Sequence, residues 1–176
     1  MKSKNIIIFV EGETERHLLN SMKMEGMIRY SKILKVNFWQ DDIVKIIPFL
    51  SDARAIILII FDTDCIEVKT EKRFKNNLKN LEKRGYRFHL LQQTRNFEDE
   101  LIYSCCITQG KLISHFCNEY LSKNEFKSKF LSCGNPVSKL KKINFSGKRL
   151  WARDLINELN EFSKYKGSYN NLFIKE

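Results

Sequence analysis

Two apolar runs, Ile6-Ile7-Ile8-Phe9-Val10 and Ile56-Ile57-Leu58-Ile59-Ile60-Phe61, each end abruptly in acids. Runs this rich in β-branched and aromatic residues, without polar alternation, are apolar on both faces. That is the pattern of strands buried inside a parallel sheet. In open α/β sheets ligands gather in the crevice outside the carboxyl ends of the strands. The first run delivers Glu11 to that edge, with Glu15 one helical turn further on, and the second delivers Asp62 and Asp64. The two aspartates alternate along an extended chain and so face the same side. Carboxylates gathered in one place repel one another unless a cation or a shared proton holds them. A hard divalent cation, which prefers oxygen ligands, is the simplest resolution.

The rest of the first hundred residues alternates between the two periodicities. A strand over 5–10 is followed by a helix from Glu13 to about Glu25, with Leu18, Leu19 and Met22 on its apolar face. A short strand is expected over 34–39 and a helix after Asp41 or Asp42, shortened by Pro48. The strongest strand runs over 55–61. A polar helix over 69–84 follows, presenting Phe74, Leu78 and Leu81 to the sheet and stopping at Gly85. A fourth strand is expected over 86–91. The alternation argues an α/β fold with a mostly parallel, Rossmann-like sheet of about four strands flanked by helices. Beyond Gln93 helices are expected over 97–107, 111–120 and 126–131, a loop over 132–136, a last helix over 149–162, and a polar, fraying tail after Lys164. The chain divides into an α/β domain, 1–107, and a helical C-terminal extension, 108–176, packed on it.

The net charge is +10, from 31 Lys and Arg against 21 Asp and Glu. With several acids committed to one cluster, the remaining surface is more basic still, which favours a polyanionic partner such as DNA or RNA. No stretch approaches the roughly 20 apolar residues that span a bilayer, and no cleavage-type segment follows the first strand. A cytoplasmic protein with no membrane association is therefore expected. The five cysteines, 65, 105, 106, 117 and 133, show no CxxC pair and are expected to be free thiols. Most of the 13 phenylalanines fall at core spacing; Trp39 and Tyr103 stand out as candidates for base stacking.

A third acidic group, Thr94-Arg95-Asn96-Phe97-Glu98-Asp99-Glu100, follows the fourth strand. Glu98 is a candidate extra ligand or orienting acid, while Asp99 and Glu100 serve equally well as helix-start charges, as does Glu13. Gly12 marks the point where the first strand turns sharply and lets backbone approach a phosphate or metal.

Taken together, Phe9-Val10-Glu11-Gly12-Glu13-Thr14-Glu15, then Ile59-Ile60-Phe61-Asp62-Thr63-Asp64, then Arg95-Asn96-Phe97-Glu98-Asp99 resemble the TOPRIM domain, over about residues 5–105. The resemblance is closest to OLD-type nucleases and related small TOPRIM proteins of bacterial defence systems. It implies binding of one or two Mg2+ or Mn2+ ions. In it, the glutamate matching Glu11 acts at the chemical step and as a ligand, Asp62 and Asp64 hold metal, and Glu15 helps with a second ion. A basic residue from the C-terminal part often completes the OLD-type site. Lys148 is the candidate here, with Lys141 and Lys142 behind it.

The expectation is a metal-dependent nuclease with Glu11, Asp62, Asp64 and Lys148 as catalytic residues and Glu11, Glu15, Asp62, Asp64 and Glu98 as metal ligands. Topoisomerase and primase activities need further domains for which this chain has no room. Three alternatives stay open. One is a non-catalytic nucleic-acid-binding module with a metal-holding pocket. Another is a phosphatase or phosphotransferase with Asp62 as nucleophile, disfavoured because its DxD opens the first strand, not the third. The last is an effector that works beside a separate ATPase or sensor, since the chain has no GxxxxGK[ST] loop. A homo-oligomer is open as well.

Overall fold

The computed structural model describes residues 5–50, 54–64, 66–117 and 123–172. Four strands, β1 (Ile6–Val10), β2 (Lys32–Lys35), β3 (Ile56–Asp62) and β4 (Arg87–Gln93), form one sheet in the order β2-β1-β3-β4. Every pairing is parallel: Ile8 lies beside Ile33 on one side and Leu58 on the other, and Ile59 lies beside Leu90. The sheet is thus parallel throughout and Rossmann-like. Because β1 has β2 on one side and β3 on the other, the strand order reverses between β1 and β3. The carboxyl ends of those two strands flank the crevice where ligands bind in folds of this kind.

Seven α-helices accompany the sheet among the described residues: α1 (Glu13–Met24), α2 (Ile43–Ile46), α3 (Val68–Lys83), α4 (Phe97–Cys105), α5 (Gln109–Cys117), α6 (Lys123–Ser132) and α7 (Pro136–Lys141). Both faces of β1 are buried, as its unbroken apolar run requires. Ile6, Ile8 and Val10 join Leu18, Leu19, Phe97, Leu101, Phe126 and Phe130 in one core layer. Ile7 and Phe9 join Phe38, Trp39, Phe61, Phe74, Leu78 and Leu81 in the other. At about 25 cal/mol per Å2 of apolar surface removed from water, these two layers supply most of the driving force for folding.

Local signals account for the element ends. Asp42 caps α2 by accepting from the Val44 N–H, and Pro48 lies in the 3-10 turn 47–49 that follows. Gly85, at φ +73°, ends α3 in the left-handed conformation that glycine adopts without a Cβ penalty. Asn77 of α3 is buried and donates to the Phe38 and Asp41 carbonyls while accepting from the Ile43 N–H. One amide thereby ties the segment after β2 to α3.

Several expectations need correction. The second strand is 32–35 rather than 34–39: Val36 and Phe38 are buried beyond its end, and Asp41 accepts from the Asn37 N–H in a turn. The stretch 132–136 is not wholly loop, because Pro136 opens α7 with Asn135 accepting from the Ser138 N–H. No helix spans 149–162. Trp151 takes φ +57°, its backbone N–H donates to Glu100, and only 157–165 is helical, as a 3-10 turn. The tail is not frayed over its described part. Gly167 donates to the Leu90 carbonyl at the edge of β4, and Tyr169 and Leu172 are buried. Residues 118–120 of the expected fifth helix lie outside the described residues.

The extension beyond residue 107 packs on both faces of the sheet: α5–α7, Leu150 and Trp151 join one core layer, and Leu159 and Phe162 the other. No helix among the described residues is long and apolar enough to cross a membrane. Cys105, Cys106, Cys117 and Cys133 are free thiols, and Cys65 lies outside the described residues.

Candidate functional site

β1 ends at Val10, so Glu11 is the first residue past the strand, and β3 ends on Asp62 itself. The two carboxylates therefore flank the reversal point, and a hydrogen bond from the Asp62 backbone reaches Glu11. Glu15, in the first turn of α1, is only 4% exposed and accepts from the Thr14 hydroxyl at 3.2 Å. Glu98, in the first turn of α4, is equally buried. Asp64 stands exposed at the rim. The cluster foreseen from the sequence is thus assembled from two strand ends and two helix starts, all at one edge.

Gly12 has a different role from the one expected. Its backbone is extended, at φ −131°, which any residue adopts. A Cβ there would stand 2.8 Å from Glu15 Oε2. A larger residue there would require the Glu15 carboxylate to shift from its present place.

The electrostatics follow from burial. The Glu11 carboxyl is pushed up to about 8, first by burial and then by Glu15, Asp64 and Asp41, with the Asp62 backbone hydrogen bond working against them. Asp62 is pushed up to about 9, again by burial first and then by Glu15, Glu11, Asp64 and Glu98. Burial also raises Glu15, with Thr14 and Lys127 opposing and Glu98 adding to the rise. Without a cation Glu11 and Asp62 favour the protonated form at neutral pH, and Glu15 is shifted in the same direction. Glu11 Oε1 and Glu98 Oε1 are buried without a hydrogen-bond partner.

Gln93 and Trp39 shape the cluster and carry no motif signal. Gln93 is the last residue of β4 and is buried. With its amide nitrogen turned toward the acids, it donates to Asp62 Oδ1 at 2.6 Å and Glu15 Oε1 at 3.2 Å. Reading β4 for its terminal residue, as was done for β3, would have found it. Trp39 is buried, with its indole N–H donating to the Asp62 carbonyl at 2.8 Å, so it anchors the strand end and is not a stacking platform. Tyr103 is 40% exposed and carries the Arg153 guanidinium over its ring at 4.6 Å.

The expected lysine is not brought to the acids. Lys148 is exposed in the short turn 147–149, where the preceding Ser146 N–H donates to the Ser104 carbonyl at the far end of α4 from Glu98. The base that reaches the cluster is Lys127 of α6, 3.6 Å from Glu98 Oε1. That distance makes an ion pair without a hydrogen bond. Of the two lysines behind it, Lys141 pairs with Glu25 at 2.6 Å and Lys142 is exposed at the end of α7. No spacing in the sequence marks Lys127. Glu13 is a surface residue, near Arg16 and Lys35. Glu100 is turned away from the cluster into a pair with Arg153.

A set of oxygen donors, two of them with a buried unpartnered oxygen, fits a hard divalent cation. Among the described residues no three His, Cys, Asp or Glu side chains already converge on one point, so the donors are gathered but not closed into a cage. Compared with family models, curated proteins and solved structures, the chain matches none.

Proposed function

We propose that this chain is a metal-dependent nuclease of the TOPRIM type, related to the OLD-type enzymes, hydrolysing phosphodiester bonds in DNA or RNA. The observation that carries the reading is the set of carboxylates at the β1/β3 reversal point, with Glu15 and Glu98 buried and Glu11 and Asp62 half-buried and raised to about 8 and 9. Burying acids without matching cations costs several kcal/mol, and a site at a strand-order reversal is where such a cost serves a ligand. The order of the elements, with the Glu-Gly turn first and the DxD on the third strand, supports this reading over a phosphatase.

Glu11, Glu15 and Asp62 would hold Mg2+ or Mn2+, with Asp64 and Glu98 at the margins. A cation held there supplies charge neutralisation at the scissile phosphate and a more acidic water. The residues of the chain do the rest. Glu11, with one oxygen lacking a hydrogen-bond partner, would take a proton from the attacking water. Gln93 fixes the Asp62 and Glu15 carboxylates through its amide, and Trp39 fixes the Asp62 backbone. Lys127, half exposed beside Glu98, supplies positive charge where charge grows on the phosphate.

The test is incubation of the purified chain, and of an Asp62→Ala/Asp64→Ala double variant, with plasmid, single-stranded DNA and total RNA in Mg2+, Mn2+ or EDTA. Cleavage that needs both metal and aspartates is expected. Cleavage retained by a folded double variant removes the assignment. Binding without turnover in any metal points to a non-catalytic module or to the need for a separate ATPase or sensor. A role in defence follows from the family likeness and from no other observation.

A further inference from the structure

We propose that the cleft between α2 and α3 is a track for the sugar–phosphate backbone of single-stranded nucleic acid, leading to the carboxylate edge. The inference rests on the nuclease reading for what happens at that edge, but not for the binding itself. The cleft is a concavity of about 890 Å3, room for a short stretch of one strand. One face of α3 lines it with Lys69, Lys72, Arg73, Asn76 and Asn80, and Lys45 of α2 stands opposite.

The charges of α3 divide by face. Away from the cleft most are matched, Lys83 excepted: Lys75 pairs with Glu71 at 2.8 Å and Glu161 at 3.3 Å, Lys79 approaches Glu161, and Glu82 takes Lys164. Toward the cleft, Lys45, Lys69 and Lys72 make no ion pair among the described residues, and Arg73 donates only to the Gln40 carbonyl. The two acids in the cleft are committed to backbone: Asp42 accepts from the Val44 N–H and Asp41 from the Asn37 N–H. An unmatched basic row lining a concave wall is the electrostatic footprint of a polyanion.

The cleft is joined to the candidate site through the segment 37–42. Asp41 lies in the cleft and is close enough to Glu11 to raise its proton affinity. Trp39, two residues earlier, holds the Asp62 carbonyl. A strand lying along Lys72, Lys69 and Lys45 therefore ends at the acids. Among the described residues no aromatic side chain lines the cleft, so base stacking contributes little. Recognition is by phosphate charge with amide contacts from Asn76 and Asn80, which makes it sequence-tolerant and strongly salt-dependent.

The experiment measures fluorescence anisotropy of labelled oligo-dT and oligo-U in EDTA across a salt series, with circular dichroism confirming the fold of each variant. Lys45→Gln/Lys69→Gln/Lys72→Gln should weaken binding roughly tenfold to a hundredfold near 0.1 M salt and lower the slope of log K against log salt by about 2–3. A control of equal charge loss, Lys79→Gln/Lys164→Gln/Lys166→Gln, removes only ion-paired lysines and should change the slope by less than one. Equal losses in both variants, or unchanged binding in the cleft variant, overturn the proposal. Preference for dT or U decides which polymer the track takes. Cleft-dependent binding with no cleavage in any metal leaves the track standing and counts against the chain's acting as a nuclease on its own. Asp62-dependent cleavage with unaltered binding by the cleft variant does the reverse.

Discussion

Glu98 and Glu100 stand two positions apart on α4 and are almost equally buried, yet their surroundings are opposite. Glu100 accepts from the Trp151 N–H at 2.6 Å and pairs with Arg153 at 2.5 Å, with both oxygens engaged. Glu98 joins Glu11, Glu15 and Asp62, keeps one oxygen without a hydrogen bond, and has only a loose lysine at 3.6 Å. A buried acid whose needs are met by its own chain is part of the architecture. One whose needs are left open is held for something that comes from outside. Burial alone does not separate the two; the partner inventory does.

That contrast breaks most visibly in activity. Asp62→Asn keeps the shape of the cluster but removes a charge, and it should reduce cleavage by at least about a thousandfold, the several kcal/mol that metal-held charge supplies. Steady-state cleavage of whichever polymer the wild type cuts would measure it. Next comes Glu100→Ala, which leaves Arg153 and the Trp151 N–H without their acceptor. Breaking a buried pair costs about 3–5 kcal/mol. In a chain of this size that lowers Tm by roughly 6–20 °C, read by thermal denaturation. Equal stability losses in Asp62→Asn and Glu100→Ala would erase the distinction.

Smaller effects sharpen it. The raised acids Glu11 and Asp62 bind protons in the folded, metal-free chain that the unfolded chain has already released. Their contribution to stability is therefore complete below the ordinary carboxylate range and is lost as pH rises toward about 8 and 9. In EDTA, Tm should fall between pH 5 and pH 9. Asp62→Asn should flatten that fall, and Mg2+ should reverse it at the alkaline end. A metal-free Tm that rises over this interval contradicts the electrostatic description. The mildest change is Lys127→Ala, expected to cost up to about tenfold in cleavage and no more than about 0.5 kcal/mol in stability, because the lysine is half exposed.

How much of this the sequence carried depended on whether the signal was continuous along the chain. The runs at 6–10 and 56–61 announce buried strands because no polar residue interrupts them, and the acids at their ends follow from strand direction alone. The face of α3 was legible from helical spacing, and Phe74, Leu78 and Leu81 are fully buried. The short strand β2 was misplaced because the alternation runs on through Val36 and Phe38, whereas the pairing with β1 closes with a last hydrogen bond from the Val36 N–H to the Val10 carbonyl. The stretch 149–162 shows helical spacing of Leu150, Trp151, Leu155 and Leu159, but Glu100 takes the Trp151 N–H and Gln92 exchanges hydrogen bonds with the Asp154 and Ile156 backbone. Tertiary hydrogen bonds outcompeted a local preference. Lys127 and Lys148 are alike in sequence, and only the packing of α6 against α1 brings the former to the acids.

The far end of the chain has a kinetic meaning as well. The Tyr169 hydroxyl donates to the Met27 carbonyl, 142 positions away in sequence, and the Arg29 N–H donates to the Leu172 carbonyl. Contacts between such distant residues close large loops and form late in folding. Residues 166–172 are therefore expected to dock after the sheet has formed. The first opening under mechanical load or mild denaturant should begin there, long before the strands that carry the acids let go.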